Sequence, residues 1–171
     1  MKKPLIVFHL LILLLNFNFP GHAQTIMIQG IQSGLLEADT VLIAGNVTVP
    51  AGEQLKFKAG SMVLATGHFR LDVNGSISAI GEPGSQVVFS VADTAGFSNH
   101  ENGRGGWDGF HFNGNNPLED SSVFQYCRFE YGKATGDSLG KMGGIFNIRD
   151  FGRISVSNCT FLNNYAYHWG G

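Results

Sequence analysis

The chain has 171 residues, 43% of them hydrophobic and only 14% charged, with a formal net charge of −2 at pH 7. So weak a charge, negative in sign, leaves no basic surface to track phosphates and excludes nucleic acid as a principal partner. The 24 glycines and 14 phenylalanines exclude a disordered tail or a coiled coil and fit an all-β chain with many tight turns.

Lys2 and Lys3 precede an apolar run over residues 5–15 that only His9 interrupts, and Gly21 and Ala23 place small residues where a signal peptidase reads them. The pattern predicts a signal peptide over residues 1–23, cut between Ala23 and Gln24. Its apolar run is about half the ~20 residues that a membrane-spanning helix needs, and no second run of spanning length follows. No cysteine lies near the cut, so a lipid anchor is not expected.

Residues 24–40 carry Ile26, Ile28 and Ile31 and are expected to form an N-terminal cap that covers strand edges. From residue 41 onward short apolar alternations recur: Val47 and Val49, Leu55 and Phe57, Val63 and Leu64, Leu71 and Val73, Ile77 and Ala79, Val87 to Phe89. Alternation of period two is a strand signal. A shift of about 24 residues lays Val47 on Leu71, Val49 on Val73, Val63 on Val87 and Leu64 on Val88; Leu55 and Phe57 meet Ile77 and Ala79 at about 22. Pro50, Gly52, Gly60, Gly75, Pro83 and Gly84 fall between these strands, where corners need fixed or left-handed backbone angles. Three short strands and three corners, repeated in register, predict a β-solenoid whose coils share one core. A hairpin at Asn74-Gly75 within a sandwich is the competing fold, and it leaves the register unexplained.

Two polar, Gly-rich stretches, residues 92–106 and 132–144, interrupt the rhythm. Long loops on a solenoid are either sites of binding or neutral insertions. Between them Trp107, Asp108 and His111 form the most site-like cluster, a carboxylate and an imidazole beside an aromatic platform. A strand over residues 107–112 would nevertheless send Asp108 and His111 to opposite faces. Phe110, Phe112, Phe124, Phe129, Phe146 and Phe161 are expected inside in stacked columns. Tyr131, Tyr165, Tyr167 and Trp169, near corners, join Trp107 as sugar-contact candidates, while Asn147, Asn158, Asn163 and Asn164 are expected to cap corners with side-chain hydrogen bonds. Cys127 and Cys159 sit in similar strings about 32 residues apart, equivalent positions of a repeat. They are expected to stack as buried thiols, with a disulfide as the alternative.

Residues 47–60 (VTVPAGEQLKFKAG), 71–81 (LDVNGSISAIG), 86–90 (QVVFS) and 106–110 (GWDGF) together resemble the start of bacterial right-handed parallel β-helix proteins. Gly143-Gly144-Ile145 and the Phe161 to Asn164 string (FLNN) resemble the repeats of polymorphic outer membrane proteins. The resemblance spans residues 41–171. It implies an all-β, right-handed parallel β-helix of three short strands per coil, with the cap at 24–40, and placement at the cell envelope or outside the cell.

That resemblance is specific for fold and weak for activity, since such folds host enzymes and adhesins alike. No adjacent pair of aspartates is present, and the five histidines beyond the apolar leader, including His22, His68 and His100, lie singly. No catalytic residue, metal or cofactor is therefore expected. The expected function is an exported, non-enzymatic module that contacts extracellular polysaccharide or a cell-surface ligand, with Trp107, Asp108, His111, Tyr131 and Trp169 as contact candidates. The chain is expected to be the first part of a longer protein with a downstream anchoring or sorting domain. The alternative is a polysaccharide lyase or glycoside hydrolase whose active site lies in downstream coils.

Overall fold

The computed structural model describes residues 23–114, 121–136 and 142–170, and every regular element in it is a β-strand. The first group is β1 (Thr25–Ile31), β2 (Gly34–Leu36), β3 (Thr40–Val49), β4 (Gln54–Phe57), β5 (Met62–Ala65), β6 (Leu71–Val73), β7 (Ser76–Ile80) and β8 (Val87–Val91). There follow β9 (Phe110–Asn113), β10 (Ser122–Gln125), β11 (Cys127–Glu130), β12 (Lys133–Ala134), β13 (Phe146–Arg149), β14 (Ile154–Ser157), β15 (Thr160–Leu162) and β16 (Tyr165–Ala166). No helix among the described residues is long and apolar enough to cross a membrane. The expected leader falls on residues 1–22, outside the described residues. At its predicted cut the ladder already begins, because the Gln24 carbonyl accepts the N–H groups of Asp39 and Thr40, each at 3.0 Å.

All pairings between these strands are parallel, which requires a crossover between partners. β3 is the pivot: residues 40–43 pair with β5 and residues 47–49 with β6, while β1 runs along both halves. The nine-stranded sheet curls about it in the order β13-β9-β6-β3-β5-β8-β11-β15, with β1 also on β3. A second sheet, β14-β10-β7-β4-β2, faces it, and β12 pairs with β16. Residues 24–40 supply β1 and β2 to these same rows, with Ile28 and Ala38 buried, so pairing does not change character at residue 41.

The apolar alternation sets the register. Val47 lies opposite Leu71, Val49 opposite Val73, Leu55 opposite Ile77 and Phe57 opposite Ala79, as the repeat predicts. Two expected pairs are corrected: Val63 lies opposite Phe89, not Val87, and Leu64 opposite Ser90, not Val88. The corner before β8 is closed by a reciprocal pair of hydrogen bonds between Glu82 and Ser85, at 3.1 and 2.9 Å, and takes up two extra residues. A slip of two keeps every side chain on its own face.

Asn74 and Gly75 do not make a hairpin: both N–H groups donate to the Val49 carbonyl one row below, at 3.0 and 3.2 Å. A Cβ on Gly75 would lie 2.2 Å from the Pro50 and Glu53 carbonyl oxygens, so tight stacking of neighbouring corners demands glycine there.

The core between the sheets is aromatic in its second half. Phe89, Phe110, Phe112, Phe124 and Phe129 are fully buried, with Phe89 stacked on Phe129 at 5.3 Å and edge-on to Phe110 at 5.2 Å. Phe146 is half-buried. Phe161 stacks on Phe129 yet remains 46% exposed, because it sits on the last row and no strand among the described residues covers it. The thiols of Cys127 and Cys159 are free and on adjacent rows, but only Cys127 is buried as expected; Cys159, on the last row, is half-buried. The Cys127 N–H donates to the Cys159 sulfur at 3.4 Å and the Cys127 thiol donates to the Ala79 carbonyl at 3.2 Å. Burial first, and the neighbouring Cys159 second, push the Cys127 pKa up to about 12.

Candidate functional site

Residues 92–106 are an ordered strap, held from beneath by a single buried ammonium. Lys133 opens β12 and is fully buried. Its Nζ donates to the carbonyl oxygens of Gly96 at 3.1 Å, Asn99 at 2.7 Å and Arg104 at 2.7 Å, and lies 5.4 Å from the Phe97 ring centroid. Three donors meet three acceptors, which satisfies the group completely. Burial pushes its pKa below the usual lysine value, and the carbonyls are what make a charge tolerable there.

Ring contacts fasten the same strap. Phe97 packs edge-on against Tyr131 at 5.2 Å, and His100 stacks on Tyr165 at 3.7 Å. Within the strap, Asp93, Asn99 and Asn102 each accept the N–H two residues on, at 2.8 to 3.0 Å. Those local turns let so polar a stretch hold one shape.

Where the strap passes the corner after β5 it leaves a cleft of about 370 Å³, lined by Thr66, Gly67, His68, Asp93, Arg104 and Gly105 among others. That volume lies in the range of small-ligand sites. His68 is fixed by its Nε2–H, which donates to the Lys133 carbonyl at 2.7 Å, and Gly103 is laid directly against its ring.

A second polar cluster lies further along the same chain path. The strand begins only at Phe110, because Gly109 takes a left-handed φ of 67°. This corrects the expectation that Asp108 and His111 diverge. The His111 Nε2–H donates to the Asp108 carbonyl at 2.9 Å and lies 3.4 Å from its carboxylate, both residues being nearly buried. Arg70 Nη1 stands 3.9 Å from Asp108 Oδ2, and Arg70 Nε donates to Asp72 at 2.9 Å. On the sheet face Asp72, His111 and Asn147 form one row across β6, β9 and β13. Asp108 Oδ1 is buried with no hydrogen-bond partner among the described residues.

The remaining candidates separate. Trp107 is a correction: it is 1% exposed, its Nε1–H donates to the Glu130 carbonyl at 2.9 Å, and its ring packs between Phe89 and Phe110. A side chain enclosed this way contacts no ligand. Tyr131 is half-buried in a left-handed corner and supports the strap through Phe97. Trp169 is 76% exposed on the last row, where its carbonyl accepts the Gly143 N–H, and no described contact joins it to Asp108, His111 or Tyr131. Among the asparagines, Asn164 caps a corner as expected, accepting the Gly132 N–H at 2.8 Å and donating to the Phe129 carbonyl at 3.1 Å. Part of the 132–144 stretch, residues 137–141, lies outside the described residues.

Lys133, Arg70, Asp72, Asp93 and Arg104 are not among the residues that the sequence singles out. Their roles depend on contacts across rows, and only the placement of Lys133 among Gly132, Ala134 and Thr135 hints at a charge within a tightly packed corner. Among the described residues no three His, Cys, Asp or Glu side chains converge as metal ligands. Comparison with protein-family models, with curated proteins and with solved structures gives no match.

Proposed function

We propose that the chain is an exported, right-handed parallel β-helix with three strands per coil, of the polymorphic outer membrane protein type, and that it is a non-enzymatic module for carbohydrate contact at the cell surface. The fold reading is supported by the order in which the chain visits its rows. It passes through β5, β6 and β7, then β8, β9 and β10, then β11, β13 and β14, each meeting its predecessor in parallel. Extracellular placement rests on the leader-like residues 1–23 and on the repeat resemblance.

The observation that carries the binding reading is the strap over His68. A neutral insertion has no need of a buried ammonium and two aromatic contacts to hold it, whereas a binding wall needs a fixed shape, because an ordered site loses less entropy on binding. Glycan-array binding by the intact chain, followed by titration of Asp93→Ala, tests this. The expected result is binding that weakens by about tenfold in the variant, with no release of products. Failure to bind any glycan, or steady turnover of a polysaccharide, would overturn it.

Turnover would favour the second reading, a polysaccharide-cleaving enzyme. The observation on its side is the Asp108 and His111 pair with Arg70 beside it. In that case Asp108→Asn would abolish product release.

A further inference from the structure

We propose that the cleft beside His68 takes the anionic group of an acidic saccharide, a carboxylate or sulfate ester carried on a sugar ring. The inference rests on the carbohydrate-contact reading and narrows it to one ligand class.

The argument starts from the direction of the strap's peptides. In a trans peptide the C=O of one residue and the N–H of the next point opposite ways, and the chain has no cis bond among the described residues. The carbonyls of Gly96, Asn99 and Arg104 all turn inward to Lys133 Nζ. The N–H groups of Phe97, His100 and Gly105 are thereby directed away from it. Phe97 N–H is used within the strap, by the Thr94 carbonyl at 3.1 Å. Gly105, by contrast, lines the cleft, and its N–H has no acceptor among the described residues. A free amide donor near a buried positive charge suits an anion.

The charges agree. Lys133 is balanced by carbonyl dipoles alone, with no carboxylate in contact among the described residues. Arg104 lines the cleft, and among the described residues its guanidinium makes no hydrogen bond or ion pair. Its forked donors suit a carboxylate or sulfate. His68 uses Nε2–H for the Lys133 carbonyl, which leaves Nδ1 for a further partner.

One lining group has the opposite sign. Asp93 accepts the Ala95 N–H through Oδ1, and its second oxygen suits a hydroxyl donor. An acceptor, an imidazole and a guanidinium lining one cleft match a ring that carries both hydroxyls and an anion, and match a bare inorganic anion less well. Glu101, in the same strap, is exposed and does not line the cleft.

The test titrates the intact chain with three oligosaccharides of equal length: an oligo-uronate, a sulfated glycosaminoglycan fragment and a neutral glucan. The expected result is that the neutral one binds about tenfold or more weakly than the better acidic one. Added salt should weaken the acidic binding, and Arg104→Ala should bring it down to the neutral level. The Arg104 side chain is exposed, so the variant should keep the parent's thermal midpoint. Equal binding of acidic and neutral chains, or an Arg104→Ala variant that binds as the parent does, overturns the inference and leaves the carbohydrate reading standing. Binding of none of the three overturns the carbohydrate reading itself.

Discussion

Lys133 Nζ lies 2.7 Å from the carbonyl oxygen of Arg104, 29 residues earlier in the chain, and this contact joins the first long insertion to the β12 row. Because the ammonium also holds Gly96 and Asn99, removing it strands three acceptors at once. Lys133→Met is expected to lower stability by about 2–4 kcal/mol, less than three full desolvation penalties because the released strap can turn its carbonyls to water. Hydrogen exchange should rise across residues 93–105 and stay unchanged in β3 to β7. Exchange that rises evenly throughout would mean that the strap is not an independent unit.

The stacked thiols make a prediction in alkali. The folded Cys127 holds its proton to about 12 against an ordinary value of 9.0, so over that interval the unfolded chain binds fewer protons than the folded one. Stability from this group is therefore unaffected at lower pH and falls as pH rises from about 9. The parent's denaturation midpoint, measured from about pH 8 to about pH 11, should drop more steeply than that of Cys127→Ala. Under native conditions an alkylating reagent should modify Cys159, which is only partly buried, well before Cys127.

The rows are legible in the sequence wherever inward residues alternate, because the side-chain period of a strand reports its face directly. Val47 on Leu71 and Leu55 on Ile77 follow from that alone. The repeat misplaces Val63 by two residues because corner length is set by the Glu82 and Ser85 backbone bonds, to which apolar patterning is blind. The site is harder to read. Trp107 looks like an exposed platform beside two glycines, yet Gly106 lets the chain pass close to Lys133 and the indole enters the core. The strap's anchor is a lysine 29 to 37 residues from its partners, a relation that no local window contains.

Core position should separate two phenylalanines that face the same interior. Phe89 is fully buried against Phe57, Trp107, Phe110, Phe124 and Phe129, so Phe89→Ala should cost about 3–5 kcal/mol. Phe161 has Phe129 on one side and is 46% exposed, so Phe161→Ala should cost about 1–2 kcal/mol. Equal losses in urea denaturation would show that the last row is covered in solution and would contradict the exposure described for it.

Gly109 is the residue that brings Asp108 and His111 together. Its φ of 67° holds off the start of β9 until Phe110, three residues after the expected start at Trp107, which brings a pair expected on opposite faces together. A Cβ there would also stand 2.4 Å from the Ile145 carbonyl oxygen, which is backbone and cannot swing aside. Gly109→Ala therefore meets both a strained backbone angle and a clash, and should cost about 2–4 kcal/mol. Gly152 provides the comparison: its φ is not left-handed and nothing lies within 4 Å of where an added methyl would stand. Gly152→Ala should therefore be neutral or stabilising by a few tenths, about 0.4 kcal/mol. The readout is the urea midpoint of each variant together with the imidazole resonances of His111, which should move in Gly109→Ala alone. If Gly109→Ala matched Gly152→Ala in stability and left those resonances in place, the left-handed turn would not be what sets the Asp108 to His111 contact.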